Sequence, residues 1–183
     1  MTAAPLEALA GRTPPDQRIA LAALLAREIN RPAVLVGGSA YEFYTCGVDP
    51  QPRLELATNR GRAATALRTW GFETRGASLV HAARGLRVDL VGDALRPVRY
   101  FHGGWEVHVS DLVETVVALL GQARHDRASL RRAELVWRVH RERMDIGTLM
   151  EAADARALRP WAATILRAEQ DATSAAGATP PPR

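Results

Sequence analysis

Three stretches of this 183-residue chain carry residues that could do chemistry. The first is Gly37-Gly38-Ser39, set between the apolar run Ala33 to Val36 and a segment, Ala40 to Tyr44, that keeps an apolar face. A glycine pair ahead of a helix lets backbone N–H groups approach a phosphate closely, and the helix dipole and a serine hydroxyl would converge on the same spot. Ser39 is placed to cap that helix. The same three residues would also serve a plain strand-to-helix turn. The second stretch, Arg53-Leu54-Glu55-Leu56, alternates polar and apolar, so Arg53 and Glu55 share one face of a strand. The third is Leu86-Arg87-Val88-Asp89-Leu90-Val91.

Glu55 and Asp89 are carboxylates of the kind that Mg²⁺, a hard cation needing few protein ligands, accepts. The alternative is that each is solvated or pairs with an arginine. Arg53 makes pairing a strong alternative, because a guanidinium beside Glu55 neutralises acids and repels a cation. Asp49, in the preceding loop, is a further carboxylate, although loop acids usually face water. The five histidines, His81, His102, His108, His125 and His140, have no metal-ligand spacing with acids or with Cys46. His108 and His140 read as structural, on a strand and on an apolar helix side. Cys46, without a partner base, reads as a buried thiol.

Apolar periodicity supplies the elements that must position these groups. Pro14-Pro15-Asp16 opens a helix that ends at Asn30-Arg31-Pro32. A strand precedes Gly37, a short helix follows Ser39, and the Glu55 strand comes next. A helix from Gly61 to Trp70 buries Trp70. Phe72 restarts a strand, Ser78 to Ala82 pairs with Leu86 to Val91 around Ala83-Arg84-Gly85, and Pro97 to Phe101 pairs with Trp105 to Val109 around His102-Gly103-Gly104. These elements make an α/β (α+β) domain, a mixed sheet flanked by helices, over residues 14–109. Residues 1–13 read as a flexible start. Residues 110–170 read as all helical: 111–122, 127–143, 145–157 and 161–170, the second with Leu130, Ala133, Val136, Trp137 and His140 inward. Residues 171–183 lack bulky apolar side chains and read as a disordered tail.

The totals narrow the function classes. No apolar run approaches the ~20 residues of a membrane span, and no charged start precedes an apolar core as in a secretory signal. A single cysteine rules out an internal disulfide and agrees with a reducing cytoplasm. Net charge is +4, and all 24 basic residues are arginine. Arg124, Arg127, Arg131, Arg132, Arg138, Arg141 and Arg143 cluster on and around one helix, either as a patch for nucleic-acid phosphates or as a solvated face.

Gly-Gly-Ser-Ala-Tyr-Glu-Phe-Tyr-Thr-Cys-Gly, followed by the strand of Glu55, resembles the signature of the DNA polymerase β-type nucleotidyltransferases. The likeness is closest to the branch of minimal nucleotidyltransferases and abortive-infection toxin enzymes, and it covers roughly residues 30–160. The resemblance implies a nucleotidyltransferase-like sheet followed by a helical part, with Gly37, Gly38 and Ser39 holding an NTP and Glu55 and Asp89 holding Mg²⁺ or Mn²⁺ as catalytic acids. Arg124, in Arg124-His125-Asp126, falls where related enzymes place a basic residue near the nucleotide. The implied reaction is transfer of an NMP to a protein or nucleic-acid hydroxyl. One departure stands out: Arg53 occupies the position of the first metal-binding acid. The alternative is a degenerate relative that binds a nucleotide, a nucleic acid or a partner protein, as in a toxin–antitoxin or DNA-damage-response setting.

Overall fold

The computed structural model describes residues 4–92 and 97–177, and the chain divides into two compact units, Met1–Asp111 and Leu112–Arg183. In the first unit a seven-stranded mixed sheet is flanked by helices. Its elements are α1 (Ala4–Glu7), α2 (Pro14–Ile29), β1 (Val34–Leu35), α3 (Gly37–Tyr44), β2 (Leu54–Ala57), α4 (Arg60–Thr69), β3 (Glu73–Arg75), β4 (Ser78–His81), β5 (Leu86–Val91), β6 (Pro97–His102) and β7 (Trp105–Ser110). The strand order is β3-β4-β5-β2-β1-β7-β6. β2 runs antiparallel to β1 and parallel to β5, and β7 runs parallel to β1.

Strand alternation explains the core. In β5, Leu86, Val88 and Leu90 are buried and Asp89 is half-buried on the opposite face; in β2, Leu54 and Leu56 are buried and Glu55 is half-buried. β1, central in the sheet, buries both its residues. α2 packs on β7 and α4, and α3 on β2. The start of α2 combines Pro14 in the first turn with Thr13 as N-cap, whose hydroxyl accepts from the Asp16 N–H at 3.4 Å. Asn30, at φ 49°, closes the helix in the left-handed conformation.

Several boundaries differ from the sequence reading. Residues 1–13 include α1, and Leu6 and Leu9 are buried, because two leucines suffice to anchor a short segment that composition alone leaves unpatterned. Ser39 is not the N-cap of α3: the helix starts at Gly37 after Val36, and the Ser39 hydroxyl is turned to β2. Gly37 takes φ 52°, which favours a residue without Cβ. Cys46 is exposed, not buried, in a left-handed turn behind α3. Phe72 is buried but precedes β3, whose three residues are all exposed.

The second unit contains α5 (Leu112–Ala123), α6 (Arg127–His140), α7 (Ile146–Asp154) and α8 (Arg159–Gly177). α5 packs on α6 and α7, and α8 on α6 and α7, around buried Leu119, Leu120, Ala133, Val136, Trp137, Leu149 and Ile165. Leu130 and His140, expected inward, are only half-buried, and buried Ser129 takes part instead. α8 continues to Gly177 through residues expected to be disordered; alanine, at 172, 175 and 176, is the best helix former and needs no bulky neighbour to stay helical. The rest of that expected tail, 178–183, lies outside the described residues. Among the described residues no helix is long and apolar enough to cross a membrane.

Asp126 caps α6 by accepting from the Ala128 N–H at 2.9 Å, and Asp145 caps α7 by accepting from the Thr148 N–H at 2.7 Å. These backbone hydrogen bonds hold both carboxyls below their ordinary value of 3.8. The caps are therefore complete above that value, and their contribution fades as pH falls from there through the lowered native values. The double variant Asp126→Asn/Asp145→Asn keeps cap acceptors that do not titrate. Thermal melts from about pH 5 to about pH 2.5 should bring wild type and variant closer together in stability as pH falls. A constant difference across that range would refute the assignment.

Candidate functional site

The register of three strands brings the site together. Glu55 on β2 lies beside Asp89 on β5, and Asp89 lies opposite Ser78 on β4. Side chains in register on neighbouring strands stand on the same face within reach of one another. Arg53 precedes β2 by one residue and shares the face of Glu55. Its Nε donates to Glu55 Oε1 at 2.9 Å, and its Nη1 stands 3.2 Å from Asp89 Oδ2. The guanidinium thus lies between the two carboxylates.

The remaining carboxylate oxygens are also engaged. Ser78 Oγ donates to Asp89 Oδ1, and Arg87 Nε donates to Ser78 Oγ at 2.9 Å while standing 3.7 Å from Asp89 Oδ1. The Gly38 backbone N–H donates to Glu55 Oε2 at 2.9 Å. Two arginines and two acids cancel in charge. Glu55 sits at the N-terminal end of α3, where the Gly38 N–H meets it. The side chains of Glu55 and Asp89 are 13% and 17% exposed, whereas Arg53 is 45% exposed, so the acids are enclosed beneath a half-open guanidinium.

The Gly-Gly-Ser turn serves this cluster rather than lying open. Gly37, Gly38 and Ser39 are all buried. A Cβ added at Gly38 would meet Gln51 Oε1 at 2.8 Å, so the turn is roofed by a side chain itself only 7% exposed. Gln51 is tied down in turn: its Nε2 donates to the Asp49 carbonyl at 2.7 Å and its N–H to Glu42 Oε1 at 3.3 Å. Glu42 is buried and accepts from Arg18 Nε at 2.9 Å. Ser39 Oγ accepts from the Glu55 N–H at 2.8 Å and reaches the Arg53 carbonyl at 3.5 Å. The amide and hydroxyl expected to cradle a phosphate are thus both bonded to β2 and its approach.

Of the residues singled out from the sequence, the structure brings together Gly38, Ser39, Arg53, Glu55 and Asp89. Arg124 belongs to the second unit, where its Nη2 donates to the Arg156 and Ala157 carbonyls at 3.2 and 2.8 Å and caps the end of α7. The arginine cluster on α6 is largely engaged: Arg138 pairs with Glu134 at 2.6 Å, and Arg132, Arg141 and Arg143 have interactions of their own. Arg127 and Arg131 stay exposed. Ser78, Arg87 and Gln51 escaped the sequence reading. Ser78 was within reach of it, since a hairpin that pairs His81 with Leu86 necessarily sets Ser78 opposite Asp89.

Among the described residues no group of three or more His, Cys, Asp or Glu side chains could hold a metal ion, so Asp49 does not complete a set with Glu55 and Asp89. Two carboxylates with a guanidinium between them do not fit a two-metal centre, in which cations ~3.5–4 Å apart share bridging acids. Comparison of the chain with family models, with curated proteins and with solved structures gave no match.

Removing the guanidinium leaves two enclosed carboxylates side by side. Arg53→Ala should lose about 1–3 kcal/mol of stability in urea unfolding at neutral pH. A divalent cation can then occupy the space between the acids. Millimolar Mg²⁺ or Mn²⁺ should raise the variant's midpoint and leave that of wild type unchanged. Equal stability of the two proteins without metal would show that the cluster contributes nothing.

Proposed function

We propose that the chain is a nucleotidyltransferase-like protein that does not transfer nucleotides and instead binds a phosphate-bearing ligand, a nucleotide or a nucleic-acid end, without a metal ion. One observation carries the reading: Arg53 lies 2.9 Å from Glu55 and 3.2 Å from Asp89, where a transferase would need a third acid. A fixed positive charge at that point repels a second cation and neutralises the acids that would hold the first. The same charge is suited to a phosphate. Arg53 commits Nε and Nη1 to the acids and Arg87 commits Nε to Ser78, yet their side chains are 45% and 51% exposed. Their remaining N–H groups can fork onto phosphate oxygens, a contact a guanidinium makes well and that needs no bridging metal.

A second reading, transfer of an NMP from an NTP to a protein or nucleic-acid hydroxyl with Mg²⁺ or Mn²⁺, is favoured by the register of Glu55 beside Asp89 on parallel strands. Labelled-NTP incorporation by wild type, Arg53→Asp and Asp89→Ala in each metal separates the two readings. The expected result is no wild-type transfer above Asp89→Ala. Calorimetry with ATP in EDTA should detect binding that Arg87→Ala weakens about tenfold. Robust wild-type transfer that is lost in Asp89→Ala would overturn the proposal in favour of the second reading, and absence of ATP binding in EDTA would remove its ligand.

A further inference from the structure

A cleft of about 620 Å³ opens between the last turn of α2 and the start of β7, within the ~300–1,000 Å³ span of small-molecule sites. It lies at the other end of β1 from the acid cluster: Arg31 and Pro32, which line it, precede β1, whereas Gly37 follows it. Arg27, Arg31, Trp105, Glu106 and His108 are the chemically active lining. We infer that this cleft binds a small hydroxylated phosphomonoester, of the sugar-phosphate class, with its phosphate on Arg27 and Arg31. The inference stands apart from the function proposed for the Arg53 cluster.

The two arginines are available. Arg27 and Arg31 are exposed, and among the described residues neither makes an ion pair. The carbonyls at the end of α2, which basic side chains often cap, are already taken: the Asn30 N–H donates to the Arg27 carbonyl at 3.3 Å and the Arg31 N–H to the Ala26 carbonyl at 3.1 Å. Two free guanidinium forks on one cleft suit a dianionic phosphate better than a single carboxylate.

The rest of the lining decides what accompanies the phosphate. Glu106 would repel a bare polyanion, so the ligand must offer hydrogen-bond donors beside its charge. Its carboxylate has room for them, since Arg99 stands at 3.9 Å and His108 Nε2 at 3.8 Å, both beyond a good hydrogen bond. His108 has no hydrogen bond on either ring nitrogen among the described residues, and its Nδ1 is buried without a partner. Nδ1 is enclosed, so it is Nε2 of this half-buried imidazole that is left to take a hydrogen-bond partner from outside the protein. Hydroxyl groups satisfy both the carboxylate and the imidazole.

Calorimetry with inorganic phosphate, ribose 5-phosphate, glucose 6-phosphate and ribose tests the assignment. Either sugar phosphate should bind more tightly than inorganic phosphate, and ribose alone should give no signal. Arg27→Gln/Arg31→Gln should weaken sugar-phosphate binding about ten- to a hundredfold. Glu106→Gln should shrink the preference for sugar phosphate over inorganic phosphate. Arg87→Ala, at the other end of the sheet, should change nothing. The arginines are exposed, so the variants should melt like wild type; Arg31→Gln alone, beyond the helix, is the fallback if the double variant does not. No binding of either sugar phosphate, undiminished binding in the arginine variants, or loss confined to Arg87→Ala would each overturn the inference.

Discussion

A guanidinium between two carboxylates in register is the interaction on which the centre of the first unit depends. β2 and β5 run parallel, so Glu55 and Asp89 must stand side by side on one face. Two enclosed anions that close together would repel each other and lose hydration. Arg53 removes the repulsion, and the Gly38 amide and the Ser78 hydroxyl take the remaining oxygens. The cluster is neutral and satisfied without any ligand. A charge pair of this kind contributes less through attraction than it would cost if one partner were missing.

The satisfaction of this cluster reaches outward through the backbone. Ser39 and Gly38 tie the start of α3 to β2, and Gln51, Glu42 and Arg18 tie the loop after α3 to α2. Each link uses groups that a binding turn would keep free for its ligand. An open phosphate cradle and a self-bonded turn can be built from the same three residues; the difference lies in whether the nearest carboxylate faces a metal or the turn. Here Glu55 faces the turn with one oxygen and meets Arg53 with the other.

Much of the architecture was legible because it rests on local signals. The hairpin around Ala83-Arg84-Gly85, the helix opened by Pro14 and the strand carrying Glu55 follow from turn chemistry and periodicity, and all three are present. The misplaced elements are those whose signals are weak or whose environment is remote. Leu6 and Leu9 are too few to make a pattern, yet both are buried. Cys46 is exposed because a left-handed turn, not its apolar character, sets its direction. Ser39 looked like a cap because caps are a local habit of serine, but a backbone amide sixteen residues on, at Glu55, takes its hydroxyl.

By itself the sequence determined that Arg53 and Glu55 share a face, since alternation along a strand is a property of the backbone and needs no partner. It also determined the mixed helix-and-strand composition of the two parts, through the change from short alternating runs to helical spacing after Ser110. Only the tertiary structure decided which strands are neighbours. That placed Asp89 and Ser78 beside Glu55, turned Gly38 toward a carboxylate, sent Arg124 to cap α7, and left Arg27 and Arg31 facing a cleft with His108. The physical reason is that pairing and packing join residues tens of positions apart, and no period or turn signal in a chain records which distant partner an acid or an arginine will meet.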